Sequence, residues 1–237
     1  MKEITMLFGW FYFDWTVLIV LPALVFSIWA QMNVKSTFDQ YSKIRTKRGY
    51  TGADAARRVL NENGLFDVSI ERVSGHLTDH YDPKANVIRL SDSVYSSSTA
   101  AAIGVACHEA GHAVQYSRGY FPIKVRSTII PVTKFGSMLA MPIFLIGLLF
   151  AAPALLSLGI LLYATVAVFQ LVTLPVEFNA SARALEAIGT SGMFDSEEYG
   201  AAKKVLTAAA LTYVAALATT LLTLLRLLVL AGGRRRG

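Results

Sequence analysis

His108-Glu109-Ala110-Gly111-His112 places two imidazoles four residues apart, with a carboxylate beside the first. On a helix, positions four apart share a face, so both rings can reach one metal ion. Neutral imidazole suits Zn²⁺, and a catalytic zinc keeps three protein ligands and leaves a fourth position for water. Glu109, next to the first ligand, is placed to take a proton from that water and return it to a leaving amine. The grouping therefore predicts one catalytic Zn²⁺ and hydrolysis of a peptide bond. The same five residues arise by chance in unrelated chains, as two ordinary helix histidines pairing with Glu109. Their setting among Ala and Val, after the capping residues Ser96-Ser97-Ser98-Thr99, favours the metal reading.

A third ligand is needed. No histidine follows His112, which excludes the longer pattern with a third histidine six residues on. The later acids are Glu177, Glu186, Asp195, Glu197 and Glu198. Glu177 stands out, because it falls in the first turn of a helix opened by Pro175 and follows an apolar hairpin that returns to the face of the motif. The plainer reading of Glu177 is a carboxylate drawn to a helix N-terminus. Glu186 lies further along the same helix, and the last three acids read as a solvated cluster. Upstream, His76 and His80 are also four apart, but a strand-like context would not put them on one face. His80 or Tyr81 is a candidate donor to a developing oxyanion, and Arg183 a candidate for that task or for orienting a ligand. The segment 87–90 is a candidate edge for binding an extended peptide.

The elements that must hold these residues are mostly apolar. The chain has 237 residues, of which 54% are hydrophobic and only 16% charged, against about 25% charged in soluble domains. Four segments near 9–31, 133–152, 154–174 and 205–231 reach the roughly 20 residues that cross a bilayer. The second and third form a tight hairpin about Ala152-Pro153. The first, with Trp10, Phe11, Tyr12, Phe13 and Trp15 as an interfacial belt, reads as a retained anchor rather than a cleaved leader. Asp14 lies at its edge and Arg226 inside the last span, where it can snorkel to the interface. Residues 32–132 form the catalytic domain with the His-Glu-x-x-His helix, and 175–204 complete it.

Within that domain, Thr51-Gly52-Ala53-Asp54 has capping-box spacing and opens a helix that stops near Gly64. Val68 to Val73 alternates as a strand, Asp82 to Asn86 is turn chemistry, and 87–90 forms a second strand. The histidine helix runs to about Gly119, and the helix from Pro175 to about Gly189. Cys107, the single cysteine, excludes an intrachain disulfide and reads as a small buried apolar residue. If all four spans cross, both polar stretches share one face, and most of the 22 Lys and Arg fall in them. The positive-inside rule then places the site in the cytoplasm of a multi-pass protein of the cell membrane. The formal charge of +6 is accounted for in this way, not by nucleic acid. The partners expected are a peptide or protein substrate, the lipid bilayer, and other membrane proteins or further copies of the chain.

His108-Glu109-Ala110-Gly111-His112-Ala113-Val114-Gln115, together with the run from Leu174 to Leu185, resembles the YugP-type membrane zinc metallopeptidases. Thr78 to Pro83 and the helix start at Thr51 fit the same family, so the resemblance covers nearly the whole chain. It implies His108, His112 and Glu177 as zinc ligands and Glu109 as the base. Asn179 departs from the pattern, which usually has Asp there, a residue type suited to orienting a ligand histidine. The layout is also similar to membrane proteases of the HtpX kind, but those have Asp where this chain has Ser181. No phosphate-binding loop is present, which excludes the ATP-dependent FtsH type. The fold expected is a mainly α integral membrane protein of about four transmembrane helices, with a small α+β zincin-like cytoplasmic domain. Two rivals remain. A site-2-type intramembrane protease would need residues 100–116 to span the bilayer and a late Leu-Asp-Gly ligand, which is missing. A membrane scaffold with a structural metal would have no use for Glu109.

Overall fold

The computed structural model describes residues 15–233. Among these residues, six helices and a three-stranded sheet follow in the order α1 (Val17–Tyr41), α2 (Gly52–Glu62), β1 (Ser69–Val73), β2 (His80–Asp82), β3 (Val87–Ser91), α3 (Ala100–Ser117), α4 (Phe121–Leu149), α5 (Pro153–Thr190) and α6 (Ser196–Gly233). Helices α1, α4, α5 and α6 are long and apolar enough to cross a membrane. Helix α3, which carries the histidines, is not one of them. It lies buried against α2, the sheet, α5 and α6.

The local signals act where the residue types place them. Thr51 caps α2 by accepting from the Asp54 amide, and the Asp54 carboxylate accepts from the Thr51 amide in return. Thr99 caps α3 through the Ala102 amide. Gly64 and Gly119, just beyond the ends of α2 and α3, have φ of +73° and +64°, a left-handed conformation that glycine adopts without a Cβ clash. In the sheet, β3 is central, parallel to β1 with Ser69 opposite Val87 and antiparallel to β2 with His80 opposite Arg89. Both edges of β3 are paired, so the edge expected at 87–90 lies instead along β2 and β1.

Two further expectations change. Pro175 does not open a helix: α5 runs unbroken from Pro153 to Thr190, and Glu177 lies deep within it. A proline inside a helix removes one backbone hydrogen bond. In α5 the loss is absorbed because the helix packs along α4 on one side and α6 on the other. Glu198 is buried rather than solvated. Its carboxylate accepts from the Lys47 amide at 2.7 Å and the Asp195 amide at 3.0 Å, tying the start of α6 to the loop after α1. The spans also extend past their apolar cores. Helix α4 begins at Phe121 and α6 at Ser196, both within stretches expected to belong to the polar domain.

Helix α1 packs along α6, α6 along α5, and α5 along α4, with no comparable packing between α1 and α4. The four form an arc. The α4–α5 hairpin turns through Phe150-Ala151-Ala152, with Ala151 at φ +48°. Ser27 on α1 and Thr219 on α6 lie 2.9 Å apart, a hydroxyl bridge between the apolar faces. Arg226 donates to the Thr16 hydroxyl at 3.0 Å. The main core joins Phe38 of α1, Leu60 of α2, Ile88 and Leu90 of β3 and Ile103 of α3 to Ile188 of α5 and Leu206 of α6. One end of each of α1, α5 and α6 therefore shares a core with α2, the sheet and α3. Cys107 is buried there, its thiol pushed up to about 12 by burial. Trp15 is exposed, while the rest of the aromatic belt, Asp14, Lys2 and the terminal arginines lie outside the described residues.

Candidate metal centre

Helix α3 presents His108 and His112 on one face, and α5 crosses against it. The crossing is close because residue 111 is glycine: a Cβ there would sit 2.7 Å from the Ala180 carbonyl oxygen. That approach carries Glu177 to one side of the contact and Ser181 to the other. Glu177 Oε2 lies 3.3 Å from His108 Nε2 and 3.5 Å from His112 Nε2. Among the described residues these three are the one cluster able to supply three metal ligands, with all donor atoms within 4.8 Å of one another.

The residues fit a zinc ion. Donors about 2.0–2.1 Å from a tetrahedral ion stand about 3.3–3.4 Å from one another, which matches both measured separations. Glu177 Oε2 is buried yet makes no hydrogen bond of good geometry, although its other oxygen accepts from Arg126 at 3.1 Å. A buried acceptor left open between two imidazole nitrogens is the arrangement a cation satisfies. Burial opposes a charge on His112, but Glu177 and Glu109 together outweigh it and raise the imidazole above its ordinary pKa. Protons and metal therefore compete for the same three groups.

Behind each clustered histidine stands a partner. His108 Nδ1 is 3.1 Å from the Ser181 hydroxyl, and His112 Nδ1 is 3.0 Å from Gln115 Oε1. The Gln115 amide nitrogen donates to the Val176 carbonyl at 2.8 Å and to Asn179 Oδ1 at 3.0 Å. Asn179 Oδ1 also accepts from Arg183 Nε at 2.8 Å. Arg183 has only donors to offer, so the direction of the whole chain is set. Asn179 must turn its oxygen to Arg183, Gln115 must turn its nitrogen to Asn179, and His112 must hold its proton on Nδ1. The lone pair of His112 Nε2 then faces the cluster. An Asp at position 179 would accept the same two bonds, which explains how Asn can stand there.

A cleft opens over the cluster in two arms that share Asp79, His108, Glu109 and Tyr213. The polar arm, 290 Å³, runs between the β2 edge (His80, Tyr81) and the first turns of α4 (Ile123, Arg126). The other arm, 260 Å³, runs between α1 and α6. Glu109, mostly buried, lines both. His80 and Tyr81 lie on the polar arm, with His80 Nδ1 2.9 Å from the Thr78 carbonyl and the Tyr81 hydroxyl donating to Asn86. Arg183 lines neither arm. It faces a separate recess with Glu62, Arg118 and exposed Glu186, and meets the cluster only through Asn179 and Gln115. His76 packs edge-on against Phe38, apart from His80.

Three cleft residues escape a reading by motif. Asp79 accepts from the Ser91 amide at 2.7 Å and its hydroxyl at 3.0 Å. Burial pushes its carboxyl up, against those hydrogen bonds and with some help from Glu109. Its signal was its place in the Thr-Asp-His-Tyr-Asp-Pro run. Arg126 stands in the first turns of α4 beside Lys124, Ser127 and Thr128, and Tyr213 within the long α6, so neither belongs to a recognisable motif.

The family described as "Putative neutral zinc metallopeptidase" matches residues 16–232. "Putative membrane protease YugP" of Bacillus subtilis (strain 168) is 48% identical over 214 residues, which is 90% of this chain and 95% of that protein. No solved structure matches the chain.

Proposed function

The chain belongs to the neutral zinc metallopeptidase family, and on that premise we propose that it is a membrane-embedded zinc endopeptidase. The observation that carries the reading is the convergence of His108, His112 and Glu177 beside Glu109 in one cleft. His108 Nε2, His112 Nε2 and Glu177 Oε2 would hold the zinc, which when bound would supply a Lewis acid for the scissile carbonyl and the attacking water. Glu109 takes the proton of the attacking water and delivers it to the amide nitrogen, which leaves as an amine. Arg126 holds the second oxygen of Glu177, so that the first stays turned to the histidines. Ser181 and Gln115 hold the imidazole protons on Nδ1.

An extended peptide lies along the free edge of β2, adding a strand by main-chain hydrogen bonds. His80, Tyr81 and Tyr213 border the place where the oxyanion develops. Arg183 is a positioning residue acting through Asn179 and Gln115. The small α+β domain is zincin-like and lies on the cytoplasmic side, where the basic residues collect. Membrane-protein turnover or processing is supported by the cleft's walls, which come from α1, α4 and α6.

Against a scaffold with a structural metal stands Glu109, which such a site does not need. The test is cleavage of unfolded casein and of a membrane-inserted client by purified protein, beside Glu109→Gln, with zinc measured in both. Cleavage by the parent alone, with equal zinc, is the expected result. No zinc in either form removes the reading, and cleavage of casein alone removes the membrane role.

A further inference from the structure

The two arms of the cleft differ in chemistry, and the difference is built from separate parts of the chain. The polar arm is walled by β2 and α4. The second arm is apolar: its walls are Val34 and Phe38 of α1, Val105 of α3, and Leu206 and Ala209 of α6. Polar side chains, Gln31 and Thr212, line it as well. Phe38 and Leu206 belong to the main core, so this wall is fixed by the packing of the domain rather than by a loop. Val34 and Ala209 are half-buried and border the space from opposite helices. The α1–α6 contact is held elsewhere by the Ser27–Thr219 bridge.

This arm is continuous with the metal centre, since His108 and Glu109 line it too. A peptide whose scissile bond sits beside Glu109 must place a neighbouring side chain in it. We infer that the apolar arm is the substrate's selecting subsite and takes one large aliphatic or aromatic side chain immediately beside the scissile bond. The substrate class is then a peptide segment with Leu, Ile, Met or Phe at that position. Asp is excluded because Asp79 and Glu109 already border the arm, so its charge would be desolvated beside like charges. Gly and Ala leave the arm unfilled, and a pocket of this kind discriminates by about tenfold or more per missing group. This inference rests on the peptidase reading of the site, but its test does not depend on hydrolysis.

Cys107 is the single native thiol and is buried, so a cysteine introduced at Ala209 or Val34 is the reactive one. In the Glu109→Gln background, with the full chain in nanodiscs, labelling of Ala209→Cys and Val34→Cys by N-ethylmaleimide is timed. Blocked hexapeptides Ala-Ala-Ala-X-Ala-Ala are added, with X as Leu, Phe, Gly or Asp. Thr190→Cys, in the recess on the far side of α3, is the control. The expected result is slowing by about tenfold or more with Leu or Phe, and by less than about twofold with Gly or Asp. Thr190→Cys should not respond.

Equal slowing by Leu and Asp peptides, no slowing at either position, or equal slowing at Thr190→Cys each overturns the subsite. Labelling that is slow without peptide and restored by removing lipid also overturns it, since an acyl chain would then fill the arm. Protection by Leu without hydrolysis in the parent keeps the subsite and removes the peptidase reading. Hydrolysis without selective protection does the reverse.

Discussion

The two sides of the cleft are held in different ways. On the α3–α5 side every residue of the candidate metal cluster is braced from behind: His108 by Ser181, His112 by Gln115, and Glu177 by Arg126. On the opposite rim, His80 and Tyr81 make their side-chain bonds to Thr78 and Asn86, residues two and five positions away in sequence. Two of these braces come from 51 and 73 residues away, and the third, Gln115, is itself tied to α5 through Val176 and Asn179, 61 and 64 residues away. A site that must fix donor atoms within a few tenths of an ångström needs such support. A rim proposed to receive a variable peptide does not.

The comparison breaks most sharply at Gly111. Alanine there gains up to about 1 kcal/mol of helix propensity, but its methyl would press on the Ala180 carbonyl at 2.7 Å. That contact is with the backbone of a packed helix, so α5 must move, at about 1–3 kcal/mol. Overpacking wins, and the movement separates Glu177 from the histidines. Gly111→Ala should lose stoichiometric zinc in a folded protein, read by metal content beside circular dichroism. Full zinc occupancy would show that the close crossing is not what positions the ligands.

Gln115→Leu is the next largest effect. It removes the acceptor behind His112 and the amide that donates to the Val176 carbonyl and Asn179, leaving Asn179 bonded to Arg183 alone. Loss of such a partner costs about 10–100-fold in metal affinity, measurable by competition with a chelator. An unchanged affinity would mean that packing alone orients the ring.

The relay behind Gln115 sharpens the point, because polarity and charge can be separated there. Arg183→Leu removes the donor-only group that sets the direction of the chain, and zinc affinity should fall by up to about tenfold. Asn179→Asp keeps both accepted bonds and should stay within about threefold of the parent. If Asn179→Asp falls as far as Arg183→Leu, the acceptor argument is wrong.

This split also marks what the sequence could reveal. The cluster of His108, His112 and Glu177 was legible because metal chemistry demands particular residue types, and a helix period places two of them. The caps at Thr51 and Thr99 and the four apolar helices followed from local signals. Pro175 misled because a local start signal was overridden by packing of α5 on both sides, which no short window contains. The β2 edge was missed for a similar reason: a three-residue strand is stabilised by its partner β3, not by its own pattern. Asp79, just before β2, and Arg126 and Tyr213, on α4 and α6, meet at the cleft only through the packing of elements far apart in sequence.

The smallest effect belongs to the rim. His80 is exposed and is not among the clustered ligands. Its ring bonds back to Thr78, within its own turn. His80→Ala should therefore leave zinc affinity and thermal stability at parental values, since exposed substitutions away from a core usually fall within about 0.5 kcal/mol. Any consequence should appear in hydrolysis alone, as a lower kcat/KM of about tenfold or less if the ring donates to the oxyanion. The informative measurement is the pair taken together on one preparation. Altered zinc affinity would make the rim part of the braced site, and the contrast between the two walls would fail. Intact zinc with reduced kcat/KM would place His80 beside the substrate and leave the metal to the helices.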